Sequence, residues 1–282
     1  MHIEPGASFI FLPILSEKRI PDADYLIACP AFSADFVNAC GPAKGKKFYF
    51  VQGFEDWAMS KEEIIRTWKL PMKKITISRW LQALIQDAGE TAAYIPNGLD
   101  LDTYRCIAPL ENRPQKSILF VYQDFALRGM RYILEAIGVL KSRYPGLIVS
   151  AFGIDRPPKD FPVYIRYFRN PVQKQIVDLY NSSAIFISAS LSEGWGLPPC
   201  EAMLCGCVVI ASDTGGHREF LRDGDNGLMC TPASSESIVE KIEKVFSDPE
   251  AARRISLRAP ASLQAFDWES RTDLFKNILT AP

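Results

Sequence analysis

Short β-rich runs alternate with helical patterns along almost the whole chain, and this alternation constrains the fold more than any other feature. It is typical of βα units, whose strands align in a parallel sheet covered by helices. We therefore predict an α/β fold. The predicted strands are 8–15, 25–29, 47–51, 74–78, 92–95, 117–122, 147–153, 163–167, 184–189, 207–211 and 227–230. The predicted helices are 61–68, 79–88, 130–144, 171–181, 198–205, 235–246 and 270–279.

The length and one polar segment predict two domains. A chain of 282 residues is long enough for about two domains, each with its own core. The Pro-containing stretch 109–115 separates the two sets of strands, so we place the boundary between 1–111 and 112–282. Whether the last helix packs back on the first domain stays open. Two doubly wound sheets that face each other would hold a ligand in the cleft, at the carboxyl ends of their strands.

The charge balance argues against a nucleic-acid partner. The chain has 32 basic and 33 acidic residues and a formal net charge of −1, which gives no overall positive field. One local basic stretch runs from Lys44 to Arg79, with Trp68 inside it and Trp80 directly after it. It has two interpretations, a solvated helix face, which we favour, and a contact with anionic lipid head groups.

The cysteines and the apolar runs indicate a reducing compartment. Seven cysteines form no C-x-x-C pair, and only His2 and His217 are present, which argues against a structural zinc site. The apolar run 7–15 lacks a basic flank and a cleavage site, so we interpret it as a strand rather than an export signal. No run reaches the roughly 18 residues of a membrane span. We expect a cytoplasmic protein and leave open a peripheral position at the inner membrane face.

The segment from Ser192 to His217 contains the most informative residues. It reads Ser192-EGWGLPPCEAMLCGCVVIASDTGG-His217, with Glu193 after a predicted strand and Glu201 about one turn inside a predicted helix. Two prolines suit the first turn of that helix, and the glycines allow bare backbone to approach a ligand. The pattern predicts amide donors and a helix N-terminus beside two carboxylates.

Such a combination favours a ligand that is both a phosphate and a polyol. A diphosphate binds to amide donors at a helix N-terminus. A carboxylate beside it would be repelled unless it accepts hydrogen bonds from neutral hydroxyls, such as those of a ribose or a sugar. We therefore predict a site for a nucleotide-diphosphate sugar.

The same segment resembles the donor-site signature of glycosyltransferase family 4, a large family of retaining enzymes. The run REFLRDGDNGLMCTP and the turn Tyr94-IPNGL-Asp100 are also similar to family motifs. The resemblance implies a GT-B architecture, with two Rossmann-like domains that face each other across a cleft. It implies that 1–111 is an incomplete acceptor-side domain, because the family's first strand and Gly-rich loop are absent, and that 112–282 binds the donor.

The resemblance also implies a role for individual residues. Glu201 would hold the ribose hydroxyls, and Glu193 would contact the transferred sugar near its anomeric centre. Arg128 would hold the diphosphate as a catalytic residue, whereas Gln123 stands where the family usually has a second cation. The remaining donor-binding residues implied are Gly194, Trp195, Gly196, Leu197, Gly215 and Gly216, the first four through their backbone.

The function implied is transfer of a hexosyl or deoxyhexosyl group, with retention, to a polysaccharide or glycolipid acceptor. The departing diphosphate would take the proton of the acceptor hydroxyl, so no side-chain nucleophile, cofactor or metal is expected. Two alternatives remain, a nucleotide-sugar-binding protein without activity and a subunit whose acceptor half comes from a second chain. Another GT-B enzyme, such as an epimerase or a phosphorylase, is a third.

Other motifs have less specific interpretations. Three D-x-D triplets, which begin at Asp22, Asp100 and Asp223, fit solvated turns better than a metal site. We expect His217 to cap the following helix, with a contact to phosphate as the alternative. Three polar residues after the strand 47–51 would face the cleft or form a turn beside the core. They are Gln52, Glu55 and Asp56.

Overall fold

The computed structural model describes residue 6 and residues 8–281, and these form two compact units. The first unit runs to Pro96 and includes the end of the chain from Asp273, and the second unit is Asn97–Thr272. The α/β class is confirmed, with one parallel sheet in each unit.

The first unit contains a four-stranded parallel sheet in the order β1-β2-β3-β4. A capping box begins α2, since the Ser60 hydroxyl accepts from the Glu63 amide at 3.3 Å and the Glu63 carboxylate accepts from the Ser60 amide at 3.0 Å. The strands are β1 Tyr25–Ala28, β2 Lys46–Val51, β3 Lys73–Thr76 and β4 Ala92–Tyr94. The helices are α1 Ala34–Ala39, α2 Lys61–Trp68 and α3 Arg79–Asp87.

The second unit contains a six-stranded parallel sheet in the order β10-β9-β8-β5-β6-β7. The chain moves to one side of β5 through β6 and β7, and to the other side through β8, β9 and β10, so β5 and β8 are neighbours at the point of reversal. The strands are β5 Ser117–Val121, β6 Ile148–Gly153, β7 Ile165–Arg169, β8 Ile185–Ser188, β9 Val208–Ser212 and β10 Leu228–Cys230. The helices are α4 Met130–Arg143, α5 Gln173–Asn181, α6 Leu197–Leu204, α7 Ser235–Ser247 and α8 Pro249–Ser262, followed by α9 Trp268–Thr280.

Burial of apolar side chains on both faces stabilises the second sheet. All five residues of β9 are buried, as expected for a central strand covered by helices on both sides. One face of α7 packs on the core through Ile238 and Ile242, which are at most 1% exposed. Each fully buried aliphatic side chain contributes about 1.5–3 kcal/mol.

The predicted strand 8–15 is wrong for the described residues 8–15, which contain no strand. Phe9, Ile10 and Phe11 are 66–88% exposed, since the first sheet ends at β1 and no strand among the described residues pairs with its outer edge. Ala7 lies outside the described residues. The strand predicted at 163–167 is Ile165–Arg169, because Val163 is fully exposed and precedes the pairing with β6.

The units divide after Pro96, earlier than the boundary predicted at 111/112. The connecting segment packs on the second unit, where the Ile107 amide donates to the Asn181 side chain at 2.7 Å. Arg113 is buried and donates to the Ser183 carbonyl at 2.8 Å. The end of α9 packs on the first unit, where Phe275 and Ile278 contact the cluster around Phe48.

Most cations of the basic stretch are occupied by partners within the protein. Arg66 pairs with Asp35 at 2.6 Å, Lys74 pairs with Glu90 at 2.7 Å, and Lys47 donates to the Asn38 carbonyl at 2.7 Å. These contacts agree with the solvated-face interpretation. Among the helices described, none is long and apolar enough to span a bilayer.

Candidate functional site

Two loops meet at the carboxyl edge of the second sheet, where β5 and β8 lie side by side. The loop after β5 leads to α4 and the loop after β8 leads to α6, and the Leu191 amide joins them by donating to the Leu127 carbonyl at 2.7 Å. Strands whose connections leave in opposite directions open a crevice at their carboxyl ends, and ligands of α/β sheets bind there. The sequence-predicted site residues lie on these loops and on the neighbouring turn 213–217, except Leu197 and Glu201, which lie in α6.

Gly129 allows the two loops to approach each other closely. Its φ of 64° is left-handed, and a Cβ at this position would lie 2.0 Å from the Ala189 carbonyl oxygen. Only glycine avoids both the strain and the collision. This approach places Arg128, the preceding residue, over the loop that carries Glu193.

Arg128 and Glu193, the two predicted catalytic residues, form an ion pair. A guanidinium nitrogen of Arg128 contacts Oε2 of Glu193, with the two side chains 38% and 15% exposed. The pair is therefore only partly solvated, and its charges are weakly screened. A guanidinium at this edge has the donor geometry for a phosphate as well as for a carboxylate.

Gln123 follows the end of β5 and is half-buried, and its carbonyl accepts from the Phe125 amide at 2.9 Å. Its side chain is a neutral amide, and the residue lies at the same carboxyl edge of the second sheet as Arg128. Arg128 is the only basic residue in the loop sequence from Gln123 to Gly129. The cation usual at the first position is thus replaced by a hydrogen-bonding group without charge.

The loop that follows Glu193 presents backbone rather than a ring to its surroundings. Trp195 is 1% exposed, and its ring packs against Phe220 at 5.8 Å and Phe266 at 5.3 Å between centroids. Its indole contributes to the core of the second unit. This arrangement is compatible with the backbone role predicted for Gly194 through Leu197.

The start of α6 has fewer amide donors than the sequence predicts. Gly196, with a φ of 109°, stands at its N-cap and Leu197 at its first position, but the next two residues are Pro198 and Pro199. Prolines have no N–H, so they remove two donors of the first turn. The first turn of α4, which begins after Gly129 without a side-chain cap, keeps its amides.

The glycine pair 215–216 lies directly against the loop of Glu193. The Gly216 amide donates to the Glu193 carbonyl at 3.1 Å, and a Cβ on Gly216 would lie 2.4 Å from that carbonyl oxygen. Gly215 and Gly194 are both half-buried. The pair therefore fixes the backbone from which the Glu193 side chain projects.

His217 supports that loop from behind and is fully buried. Its Nδ1 lies 2.8 Å from the Ser212 carbonyl, which can only accept, so Nδ1 carries the proton and Nε2 is an acceptor. Burial lowers the pKa of His217. Gly216 is the N-cap of the helical turn His217–Glu219, and no side chain caps it, so the predicted cap is corrected. Its neutral Nε2 has no proton to donate to a phosphate.

Glu201 has a different environment from Glu193. Its Oε2 accepts from the Tyr180 hydroxyl at 2.9 Å, and the Tyr104 hydroxyl also donates to this carboxylate. Burial raises its pKa, the two phenols oppose the rise, and the nearby charge of Asp100 adds to it. Neutral donors rather than a cation therefore stabilise this carboxylate.

Sequence reasoning missed both tyrosines. Tyr180 ends the apolar face of α5, so it is indistinguishable from a core aromatic in sequence. Tyr104 follows the turn 97–100, and the family motif that this turn resembles does not extend to Tyr104. The only available signal was a polar-tipped aromatic residue just after a turn near the domain boundary.

The three D-x-D triplets contact protein groups. Asp22 pairs with Lys44 at 2.7 Å, Asp100 accepts from the Thr103 amide at 2.9 Å, and Asp223 accepts from the Met229 amide at 2.7 Å. These contacts are those of turns. Within the described part of the chain, no three His, Cys, Asp or Glu side chains cluster as metal ligands would.

Three polar residues follow β2 at the carboxyl edge of the first sheet. Glu55 is half-buried and accepts from the Ala31 amide at 2.7 Å, whereas Gln52 and Asp56 are exposed. Glu55 thus caps the helical turn Ala31–Ser33 that precedes α1. This hydrogen bond gives the Glu55 carboxylate a structural role.

Comparison with known families identifies the fold unit that contains Glu193, Glu201 and the glycine pair. Residues 165–261 match the family described as Glycosyl transferases group 1. The match covers 97 of the 282 residues. It spans β7 to α8 and includes every predicted site residue except Gln123 and Arg128.

Curated relatives are similar at low identity. The D-inositol 3-phosphate glycosyltransferase of Rhodococcus erythropolis is 26% identical over 172 residues, which cover 55% of this chain and 39% of the relative. The putative glycosyltransferase EpsD of Bacillus subtilis is 24% identical over 260 residues, 86% of this chain and 66% of the relative. The chain thus spans less than two thirds of the length of these relatives.

Solved structures share the fold over most of the chain. Anabaena Alr3699/HepE in complex with UDP-glucose superposes with a TM-score of 0.78 at 18% identity, covering 92% of this chain and 79% of that one. The sucrose-phosphate synthase of Thermosynechococcus elongatus gives 0.77 at 16% identity, covering 92% and 74%. The predicted GT-B fold is confirmed by this likeness.

Proposed function

We propose that this chain is a glycosyltransferase that moves a hexosyl or deoxyhexosyl group from a nucleotide-diphosphate donor to a hydroxyl of a polysaccharide or glycolipid acceptor, with retention. The observation that carries the proposal is the contact of Arg128 with Glu193 at the β5 and β8 edge, with Glu201 in the helix that follows. This edge combines a cation, a first turn with free amides and two carboxylates.

The nucleotide end of the donor is assigned to Glu201. Its carboxylate has room for about four hydrogen bonds, and two phenols account for two of them. Vicinal ribose hydroxyls are neutral donors and suit the remaining acceptor positions. Each bond of this kind to a charged acceptor contributes about 1.5–3 kcal/mol.

The diphosphate is assigned to Arg128 and the first turn of α4. Without a ligand, the guanidinium pairs with Glu193. When a diphosphate binds, Arg128 contacts its oxygens, and Glu193 becomes available to hydroxyls of the sugar. The amides at the start of α4 point out of the carboxyl edge, where the helix dipole favours an anion.

The proposed reaction requires only a leaving group and a proton acceptor. The bond between the anomeric carbon and the diphosphate oxygen breaks, and the acceptor oxygen bonds to that carbon on the same face. The acceptor proton goes to the departing diphosphate, and Arg128 stabilises the negative charge that develops there. No metal takes part in this scheme, so we expect turnover to persist in the presence of a chelator.

The names of similar proteins support the choice of first probes. Relatives are described as glycosyltransferases that act on D-inositol 3-phosphate, and one solved relative holds UDP-glucose. We therefore begin with uridine nucleotides and include guanosine and adenosine nucleotides in the panel.

A panel of nucleotide sugars tests the proposal. The purified chain is assayed for nucleotide release with and without polysaccharide, lipid-linked and simple sugar acceptors, in buffer with EDTA. We expect acceptor-dependent release for one donor. Binding without turnover on any acceptor would contradict enzymatic activity and favour a donor-binding subunit, and turnover only after addition of a second polypeptide would favour a split enzyme.

A further inference from the structure

Glu201 receives hydrogen bonds from two different parts of the second unit. Tyr180 belongs to α5, whereas Tyr104 belongs to the segment that connects the first unit to β5. The two rings meet edge to face with 6.1 Å between centroids. The connecting segment therefore reaches the carboxylate assigned to the nucleotide.

The hydrogen bonds of Tyr104 have a defined direction. The Tyr104 hydroxyl contacts both the Glu201 carboxylate and the Gln173 side chain at the start of α5. An ionised carboxylate can only accept, so Tyr104 donates its single proton to Glu201, and the Gln173 amide donates to the Tyr104 oxygen. Amide, phenol and carboxylate thus form a chain in which each bond polarises the next.

Contacts on both sides of Tyr104 fix its place. The Thr103 amide donates to Asp100 at 2.9 Å, and the Tyr104 amide donates to the Asp100 carbonyl at 3.1 Å, which folds the backbone into a turn. After Tyr104, Asn181 donates to the Arg105 carbonyl at 3.1 Å and accepts from the Ile107 amide. The ring is therefore anchored to α5 independently of Glu201.

We infer that Tyr104 is a positioning residue for nucleotide binding: it holds the Glu201 carboxylate in the orientation that accepts the ribose hydroxyls. This inference rests on the proposed function. Phenol donors suit this task, because a cation beside Glu201 would neutralise it and would attract the diphosphate to the wrong end of the site. The titratable groups that interact with Glu201 are Tyr104, Tyr180, Asp100, Cys200 and Cys205, and burial raises the pKa of both thiols.

The consequence is a pH dependence that Tyr104 controls. Only the ionised carboxylate accepts two ribose hydroxyls, so affinity for the nucleotide is lost as the pH falls through the pKa of Glu201. Burial raises that pKa above the usual range for glutamate. Tyr104→Phe removes a donor to the ionised form and raises the pKa further.

The test compares three tyrosine-to-phenylalanine variants, each of which removes one hydroxyl. They are Tyr104→Phe, Tyr180→Phe and Tyr164→Phe, the last at a half-exposed residue just before β7, at the opposite edge of the sheet. UDP affinity is measured by calorimetry between pH 5 and 8, and the Glu201 carboxyl is titrated by carbon-13 NMR, with Glu201→Gln for assignment. Thermal unfolding verifies that each variant is folded.

We expect Tyr104→Phe to weaken UDP binding about fivefold at pH 7.5. We also expect the midpoint of its pH profile and the Glu201 titration to move upward, as in Tyr180→Phe, whereas Tyr164→Phe behaves like the unmodified chain. If the unmodified chain binds UDP but Tyr104→Phe shows unchanged midpoints or tighter binding, the inference is wrong and the proposed function stands. If the unmodified chain binds none of UDP, GDP or ADP, the proposed function fails and the inference fails with it.

Discussion

Glu193 and Glu201 belong to one short segment, yet the protein stabilises their charges in opposite ways. Glu193 lies on a loop and pairs with the cation of Arg128. Glu201 lies inside α6 and accepts from the neutral hydroxyls of Tyr180 and Tyr104. The two carboxylates near the proposed diphosphate therefore differ both in position and in the kind of group that stabilises their charge.

The difference assigns the two residues to different parts of the ligand. A carboxylate paired with a guanidinium can exchange its partner when a phosphate arrives, because the guanidinium binds both anions. A carboxylate held by phenols has no cation to exchange and keeps its free acceptor positions for hydroxyls. The Glu193 side therefore suits the reacting end of a nucleotide sugar, and the Glu201 side suits the nucleoside.

The largest expected effect comes from Arg128. Arg128→Ala removes the cation that stabilises the departing diphosphate, and we expect turnover to fall by roughly 10²–10³. Affinity for the nucleotide, which the Glu201 side retains, should fall much less. The measurement is the steady-state rate of nucleotide release, compared with donor affinity from calorimetry.

Arg143 provides a matched control at the other end of α4. It is exposed and pairs with Glu243 at 3.0 Å on the protein surface. Arg143→Ala should leave turnover and affinity unchanged. Equal losses of turnover and affinity in Arg128→Ala would contradict its role on the leaving group.

The close approach of the two loops at Gly129 gives the next prediction. Gly129→Ala introduces a strained backbone and a collision with the Ala189 carbonyl, so we expect a loss of about 2 to 3 kcal/mol in the free energy of unfolding. The loops should separate, which lowers turnover more than UDP affinity. Urea unfolding and the two activity measurements test this expectation.

Gly138, in the interior of the same helix, offers the opposite case. No atom lies within 4 Å of a Cβ built there, so Gly138→Ala should stabilise the protein by about 0.5–1 kcal/mol. If Gly129→Ala and Gly138→Ala change the free energy of unfolding in the same direction, the collision with the Ala189 carbonyl does not account for the effect of Gly129→Ala.

Removal of the Glu201 carboxylate should act on binding. We expect Glu201→Ala to weaken nucleotide binding by about 2 kcal/mol or more, roughly thirtyfold at the least, because charge-assisted hydrogen bonds to the ribose are lost. Glu135→Ala, which removes an exposed carboxylate from α4, serves as the control. An unchanged calorimetric affinity in Glu201→Ala would reject the ribose assignment.

The smallest effect concerns His217, which lies behind the Glu193 loop. Its pKa is lowered by burial in the folded protein, so below the ordinary value of 6.5 the unfolded chain binds more protons. Stability should therefore decrease as the pH falls from 6.5 towards the lowered pKa, by at most about 1.4 kcal/mol per pH unit for one proton. Urea unfolding of His217→Gln should show a flatter profile over this window, and an identical slope would contradict the burial argument.

Elements with a clear period could be predicted from the sequence. Helix 61–68 is predicted to the residue, and ten of the eleven predicted strands lie at or within two residues of observed strands. The run 8–15 fails because an apolar run becomes a strand only when another strand pairs with it. The helix Pro249–Ser262 was missed because its buried face is narrow, and an internal Pro260 interrupts the pattern.

The candidate site could be predicted in its loops but not in its contacts. The glycines, prolines and glutamates of 193–216 are close in sequence, so the turn that they form could be predicted from the sequence. The pairing of Arg128 with Glu193 and the approach of Tyr104 to Glu201 depend on strand order and on the path of 97–116. Neither is encoded in local periodicity, because both bring together residues that are far apart in the chain.

The division between Glu193 and Glu201 is tested most directly by two conservative variants and two ligands. Calorimetry compares a nucleoside diphosphate with its matching nucleotide sugar, chosen from the panel, for Glu193→Gln and Glu201→Gln. We expect Glu201→Gln to weaken both ligands by a similar factor, and Glu193→Gln to weaken only the nucleotide sugar while the diphosphate stays within about threefold. If the two variants weaken both ligands alike, or if Glu201→Gln spares the diphosphate, the assignment of the two carboxylates is wrong.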